Sequence, residues 1–170
     1  MKNKIERIIV FAVVLLSVIS IVMVTSATVE SPGFSGFYLK QAAAVLIGMV
    51  LMWGIRNISY ELFLELSPVF YLTALAMLVF VLIFGTEVYG SRRWFDLGLF
   101  NFQPSEFAKL ASILFGVYLV KKKQTLFKAA LVFILPAALI LIQPDAGTAL
   151  MFLPAYLGII LVSGRDIRWV

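Results

Sequence analysis

The sequence predicts an all-α, polytopic membrane protein with about six transmembrane helices and a cytoplasmic amino terminus. Of its 170 residues, 62% are hydrophobic and only 14% are charged, and the mean hydropathy is +1.04. A water-soluble domain carries about 45–50% apolar and roughly 25% charged residues. One core cannot remove so much apolar surface from water, so lipid is the expected solvent of the outer surface.

Six stretches are close to the roughly 20 residues that an α-helix needs to cross the hydrocarbon layer. The first, Ile8–Ser26, resembles a signal peptide at first sight. Its apolar run is longer than a typical h-region and no A-x-A site follows, so we expect a retained span. The other five are Phe37–Ile55, Leu66–Phe84, Pro104–Val120, Leu126–Ile142 and Thr148–Ser163. We expect one transmembrane domain over residues 1–170, with an outer-face loop at about 85–103.

The basic residues are distributed unequally between the two ends of these spans. Ten lie on the side that holds the amino terminus and four on the other side. Cytoplasmic loops carry an excess of Lys and Arg, so the first side is predicted to be cytoplasmic. Its basic residues are interpreted as topology anchors rather than as a nucleic-acid surface. They are Lys2, Lys4, Arg7, Arg56, Lys121, Lys122, Lys123, Lys128, Arg165 and Arg168.

The residue types exclude several kinds of site. The sequence contains neither His nor Cys. Disulfides, thiolate metal sites and the usual proton shuttle at neutral pH are therefore excluded. Acid–base chemistry falls to Asp, Glu, Lys or Tyr, and the residues by themselves indicate neither a metal site nor an organic cofactor.

One polar stretch, GSRRWFDLGLFNFQPSEFAKL at 90–110, gathers ionisable groups in a chain that is otherwise apolar. Its basic residues Arg92, Arg93 and Lys109 lie on the predicted outer face, against the positive-inside trend. A charged group near membrane depth costs at least ~2.5–3.5 kcal/mol and usually faces a bundle interior or a wet cavity. We therefore expect a cavity that opens to the outside.

Two helices are predicted to begin on the outer face, each after a Gln-Pro pair. In QPSE at 103–106, the proline suits the first helical position, and Glu106 is placed to reach back to Gln103 as in a capping box. QPD at 143–145 repeats the pattern. Both helices would direct the positive ends of their dipoles outward, where free N–H groups bind anions.

This placement predicts specific contacts. Lys109 lies one turn inside the first helix, on the face of Glu106, and we expect it to pair with Glu106 or Asp145. Arg92 and Arg93 are then free to hold an anion, for which a phosphate in a bidentate fork is the expectation. Simpler roles stay open: the arginines and Trp94 as membrane-interface anchors, and the two acids as helix-start residues.

The motifs G-x-R-R-W-x-D-L-G, Q-P-S-E-x-A-K-L and Q-P-D-x-G-T-A occur in this order along the chain. They resemble the SEDS family of bacterial cell shape, division and sporulation proteins, RodA, FtsW and SpoVE. The resemblance covers the whole chain in span order and is sharpest over Gly90–Leu110 and Gln143–Leu150. The QPD form, in place of EPD, is more similar to RodA than to FtsW.

The resemblance implies a peptidoglycan glycosyltransferase of the bacterial cytoplasmic membrane, acting in cell wall synthesis and cell shape. It would polymerise lipid II, an undecaprenyl-pyrophosphate-linked disaccharide pentapeptide, at the outer face. A class B penicillin-binding protein would be its partner, and a divalent cation, Mg²⁺ or Mn²⁺, would assist. The expected substrate-binding residues are Arg92, Arg93, Trp94, Gln103, Ser105, Glu106, Lys109, Gln143 and Asp145.

The chain departs from the family pattern in length. Family members are longer, and the aspartate regarded as catalytic lies in a large outer loop of their second half. No residue of this chain matches that aspartate, so the catalytic residue is unknown, and Asp145 belongs to a different motif. We expect an amino-terminal fragment or a truncated product. Two other functions stay open: a lipid II flippase and a membrane scaffold that recruits a penicillin-binding protein.

Overall fold

A computed structural model of the chain describes residues 2–28, 34–88, 91–96, 98 and 101–163. The chain divides into two compact units, Met1–Ile58 and Ser59–Val170.

The first unit consists of two helices, α1 (Lys2–Thr28) and α2 (Phe34–Ile55). They run in opposite directions, because Gln41 Nε2 donates a hydrogen bond to Ser20 Oγ at 2.7 Å and Arg56 pairs with Glu6. Their large apolar side chains are mostly exposed, as expected for helices that face lipid rather than water. Polar contacts such as the one at Gln41 hold such helices together where the hydrophobic effect cannot.

The second unit contains a helical bundle and a small antiparallel sheet. Three helices, α3, α4 and α5, are long and lie next to one another in the chain, with the sheet between the first two. A short helix, α6, continues into α7 after Met151. The elements are α3 (Tyr60–Phe84), β1 (Thr86–Val88), β2 (Ser91–Asp96), β3 (Asn101–Phe102), α4 (Pro104–Lys121), α5 (Leu126–Ile142), α6 (Ala146–Leu150) and α7 (Phe152–Ser163).

The core of the second unit relies on small residues. Ala74 of α3 and Ala108 and Ala111 of α4 are each only 1% exposed. Small side chains let helix backbones approach closely, which is how helices associate in lipid. Gly116 is the extreme case, since a Cβ there would lie 2.8 Å from Ile159 Cδ1 and 2.9 Å from a Phe133 ring carbon. At Gly116, helix α4 therefore packs so closely against α5 and α7 that there is room only for the hydrogen atom of a glycine side chain.

The predicted all-α class is confirmed, and every predicted span coincides with helix. By length and composition, four helical segments can cross a membrane, and α5 is apolar but shorter. Helix α4 is the most polar of the long helices in the second unit, because it carries Glu106, Lys109 and Lys121. The third helix begins at Tyr60 rather than Leu66, and the sixth span is interrupted at Met151. The four segments are Lys4–Thr28, Gly36–Ile55, Tyr60–Phe84 and Ala146–Ser163.

The hydropathy pattern does not reveal the sheet in the loop at 85–103. Its strands have the order β1-β2-β3, with Thr86 opposite Trp94 and Phe95 opposite Phe102. The register shifts between Thr86 and Glu87, which lie opposite Trp94 and Arg92, so Arg93 is the extra residue between the two pairs, as in a β-bulge that redirects a side chain. The sheet thus sets the direction in which Arg93 extends.

Helix α4 ends in a Schellman motif built on a lysine. Lys123 has φ 55°, its N–H donates to Val120 O at 3.0 Å, and Gln124 N donates to Leu119 O at 3.0 Å. A left-handed conformation strains a residue with a Cβ, and glycine relieves that strain. We expect Lys123→Gly to raise the free energy of unfolding by about 0.5–1 kcal/mol, measured by thermal unfolding in detergent.

A matched control is Lys122→Gly, because Lys122 has φ −79° and carries no such strain. That substitution should lower the unfolding midpoint. If both glycine variants changed the midpoint in the same direction, the strain at Lys123 would be refuted as the cause.

Candidate functional site

The start of helix α4 differs from the predicted capping box. Pro104 occupies the first turn as expected, and Glu106 N donates to Gln103 O at 3.1 Å. The Gln103 side chain makes no cap bond, and Glu106 Oε1 instead accepts from Lys109 Nζ at 2.8 Å. A carboxylate gains more from an ammonium group at i+3 than from a neutral backbone N–H. The capping box is therefore wrong, whereas the predicted pairing of Lys109 with Glu106 is confirmed.

The start of helix α6 is capped by Asp145. Its Oδ1 accepts from Thr148 N at 3.1 Å and its Oδ2 from Thr148 Oγ1 at 2.8 Å. Here Pro144 precedes the cap, whereas Pro104 lies inside its helix. The two Gln-Pro pairs thus both precede a helix start, but the predicted repetition does not extend to equivalent positions. Thr148 was missed, although Asp-x-x-Thr before a helix is a recognisable cap pattern.

The two helix starts meet at Asp145. Gln103 Nε2 lies 3.4 Å from Asp145 Oδ2, and Arg93 Nη1 lies 3.4 Å from the same oxygen. The side chains of Arg93 and Asp145 are 30% and 12% exposed. We call Arg93, Gln103, Asp145 and Thr148 the junction. It brings together one strand and the caps of two helices, which sequence reasoning placed on the same face.

The expectation that both arginines are free is wrong. Besides Asp145, Arg93 contacts Ser91, whose Oγ accepts a hydrogen bond from its Nε. The reason is geometric: β2 directs this side chain toward the helix starts, where the capping carboxylate already lies. Arg92 is exposed, and its Nη1 lies 3.5 Å from Ile83 O. A guanidinium has five N–H donors, so these contacts leave Arg93 with donors for a further acceptor.

The other predicted residues take different positions. Trp94 is half-buried in β2, and its carbonyl accepts from Thr86 Oγ1 at 2.9 Å. Ser105 is 2% exposed, and its hydroxyl has no hydrogen-bond partner within the described residues. Gln143 is also 2% exposed, and its Nε2 donates to Leu78 O at 3.1 Å. Gln143 therefore ties the end of α5 to α3.

The predicted site is close to charge-balanced. Its three cations, Arg92, Arg93 and Lys109, face two carboxylates, Glu106 and Asp145. One surplus positive charge remains, and Lys109 is tied to Glu106, whose side chain is 60% exposed. Positioned donors rather than a large cationic field would therefore select a ligand here.

The pKa of Asp145 lies below its ordinary value. Burial of the carboxyl favours its neutral form, but the two hydrogen bonds from Thr148 and the charge of Arg93 favour the carboxylate and outweigh it. The junction is therefore assembled around an ionised Asp145.

A pH dependence follows from this shift. A carboxyl whose pKa is lower in the folded than in the unfolded state adds stability above its unfolded pKa, near 4, and this stability is lost as the pH falls through the folded pKa. We expect this contribution to be constant from about pH 5 to 8 and to disappear below about pH 4. Thermal unfolding in detergent across this range measures it.

Asp145→Asn should remove this part of the decline at acid pH. Asp96→Asn is the control, because Asp96 is an exposed carboxylate at the end of β2. If Asp145→Asn declined with acid as steeply as the unsubstituted protein, the ionised junction would be refuted.

The described residues do not form a carboxylate metal site. In the ranges given above, no three Asp, Glu, His or Cys side chains are grouped to hold an ion. Asp145 is already engaged by Thr148, Gln103 and Arg93. A divalent cation would therefore require other ligands, such as the oxygens of a bound phosphate.

An apolar cavity of about 570 Å³ begins beside the junction. It is lined by apolar side chains of α5, α6 and α7, from Ala146, which follows Asp145, to Tyr156. Tyr156 is one of the lining residues, and its hydroxyl donates to Leu126 O at 3.2 Å. The polar junction and a hydrocarbon-lined cavity are thus adjacent.

Comparisons of the chain with a family model, with related sequences and with solved structures all point to the same family. The FTSW_RODA_SPOVE family, described as cell cycle protein, matches residues 6–170. The peptidoglycan glycosyltransferase RodA of Treponema pallidum is 34% identical over 163 residues, which are 91% of this chain and 38% of the relative. A crystal structure of a mutant of the rod shape determining protein RodA of Thermus thermophilus has a TM-score of 0.78 and 30% identity, and the match covers 94% of this chain and 54% of that one.

A second similar structure is a chain of a peptidoglycan synthase complex described as coordinating polymerization and crosslinking. Its TM-score is 0.72 at 29% identity, and the match covers 91% of this chain and 47% of that one. The chain therefore spans between 38% and 54% of the length of these three proteins.

Proposed function

Because the chain belongs to the FtsW, RodA and SpoVE family of cell cycle proteins, we propose that it is the amino-terminal part of a peptidoglycan glycosyltransferase. The resemblance found in the sequence is confirmed, and so is the membrane class of the protein. Its relative from Treponema pallidum carries the name of this reaction. In the proposal, the whole protein polymerises lipid II at the outer face of the bacterial cytoplasmic membrane, in a RodA-like role in elongation and shape.

The junction is the observation that carries this proposal. Lipid II transfers its sugar away from a lipid-linked diphosphate, so the enzyme has to stabilise a departing anion. Arg93 offers N–H donors beside the amino-terminal end of α4, and Asp145 and Ser91 hold its guanidinium in place. A preorganised cation beside a helix amino terminus is suited to a diphosphate.

The adjacent cavity supports a lipid-linked substrate over a soluble one. In the proposal, the diphosphate lies at Arg93, and hydrocarbon next to it follows the apolar surface from Ala146 toward Tyr156. Both parts lie within the second unit and begin at neighbouring residues, Asp145 and Ala146. Arg92, which precedes Arg93 in β2, is exposed.

The remaining participants belong to the proposal as well. A class B penicillin-binding protein would crosslink the product, as suggested by the similarity to a chain of a synthase complex. A divalent cation would lie on the diphosphate and neutralise its charge. We assign the general base to no described residue, because Asp145 is committed to Thr148 and Arg93, and Glu106 is committed to Lys109.

The test is a reconstitution of a full-length family protein carrying this chain in vesicles that contain fluorescent lipid II. Gel electrophoresis follows glycan polymer, and chemical quenching of the dye follows movement between leaflets. Polymer formed from lipid II in the outer leaflet supports the proposal. Translocation without polymer would indicate a flippase, and co-purification with a penicillin-binding protein without either activity would indicate a scaffold.

A further inference from the structure

The first unit contains a groove with a charged end and an apolar wall. It has a volume of about 590 Å³ and lies between the start of α1 and the end of α2, far along the chain from the junction. Its lining residues are Glu6, Arg7, Val10, Phe11, Val14 and Arg56. All six belong to one compact unit.

The charged end holds one uncompensated cation. Arg56 Nε pairs with Glu6 Oε1 at 2.6 Å, and the two side chains are 61% and 39% exposed. Arg7, by contrast, has no ion pair or hydrogen bond to the residues that the structure describes, and it is exposed. The groove is therefore lined by two guanidinium groups and one carboxylate, so it presents one surplus positive charge beside several unused N–H donors.

The apolar wall lies directly inside the charged end. Val10, Phe11 and Val14 follow Arg7 at i+3, i+4 and i+7, so all four share one face of α1. These three side chains are 41%, 68% and 40% exposed, so they offer open apolar surface. From Arg7 to Val14 the helix rises about 10 Å, which is most of one leaflet of the hydrocarbon layer.

We propose that this groove binds an anionic glycerophospholipid. The phosphate lies against Arg7 and Arg56, and an acyl chain follows Val10, Phe11 and Val14 toward the middle of the bilayer. Basic pockets between transmembrane helices bind anionic headgroups on the cytoplasmic side, which is the side predicted for these helix ends. A soluble anion would make no use of the apolar wall, and the inference does not depend on the glycosyltransferase proposal.

Native mass spectrometry of the chain in neutral detergent tests the proposal. Equal amounts of phosphatidylglycerol and phosphatidylcholine with the same acyl chains are added, and the bound lipids are counted. We expect phosphatidylglycerol to be retained in preference to phosphatidylcholine by about fivefold, the effect of one cation near an anionic lipid. Arg7→Gln should abolish this preference without disturbing the helix, because the Arg7 side chain is exposed and has no described partner to leave unpaired.

Two further variants make the prediction sharper. Glu6→Gln removes the carboxylate that engages Arg56 and should raise the preference by about another fivefold. Lys128→Gln is the matched control, because Lys128 is a basic residue predicted on the same side but bonded to Gln124. In Lys128→Gln, the preference for phosphatidylglycerol over phosphatidylcholine should stay within about twofold of that of the unsubstituted chain.

Several outcomes would overturn the site. Equal retention of both lipids by the unsubstituted chain would refute it, and so would a loss in Lys128→Gln that matched the loss in Arg7→Gln. Displacement of phosphatidylglycerol by an equal concentration of glycerol 3-phosphate would show that the apolar wall contributes nothing. Stronger displacement by a hexaglutamate peptide would assign the groove to an acidic protein segment instead.

Discussion

Arg93→Ala in a full-length family protein that carries this chain is expected to reduce lipid II polymerisation at least about a hundredfold. Arg93 is the described cation held beside both helix starts, and removing one preorganised donor from a developing anion costs about 10²–10³ in rate. The substitution also leaves the Asp145 carboxylate without its cation, facing the diphosphate. The rate of polymer formation in vesicles is the measurement, with membrane insertion expected to be unchanged.

Variants at Asp145 separate charge from capping. Asp145→Asn keeps an acceptor for Thr148 but loses the ion pair with Arg93, so polymerisation should fall, and at neutral pH the protein should lose the stability that the ionised carboxylate contributes. Asp145→Ala loses the cap as well and should be destabilised by about a further 1 kcal/mol. Arg93→Lys keeps the positive charge but loses the forked guanidinium group that can donate two parallel hydrogen bonds, so it should retain only part of the polymerisation activity.

Lys40→Ala provides the control for these variants. Lys40 is also a basic residue on the predicted outer face, but it lies in α2 and outside the predicted site. The polymerisation rate of Lys40→Ala should remain within about twofold of that of the unsubstituted protein, since an exposed surface charge contributes little free energy. If Arg93→Ala polymerised lipid II at a rate similar to Lys40→Ala, the junction would have no role in catalysis.

Gly116→Leu is expected to have the largest effect on stability among substitutions in the second unit. Even a Cβ at this position would lie within 3 Å of both Ile159 and Phe133. Adding bulk to a well-packed core costs typically about 1–3 kcal/mol, and here the helix contact of α4 with α5 and α7 would also be lost. Gly116→Ala should be milder, because the atoms it meets are the ends of side chains.

Gly48→Leu is the matched control, because a Cβ at Gly48 has nothing within 4 Å. It should be neutral or slightly stabilising, since leucine favours helix more than glycine does. Thermal unfolding in detergent compares the variants. A midpoint for Gly116→Leu equal to that for Gly48→Leu would contradict the close packing around α4.

The predicted site shows where sequence reasoning reaches its limit. The pairing of Lys109 with Glu106 was predictable because both lie on one helix at a fixed spacing. The pairing of Arg93 with Asp145 was not, because it depends on a strand that hydropathy does not reveal. Gln143 has the same motif position as Gln103, yet the packing of α5 against α3 buries it.

The sequence by itself determined the membrane class, the approximate positions of the helices and the family. These follow from local composition and from motifs, since a span needs only a sufficient run of apolar residues. The tertiary structure alone decided which charges from different segments meet, which glutamine is buried and where only glycine fits. Those outcomes depend on distances between segments far apart in the chain, and helix packing and strand direction set such distances.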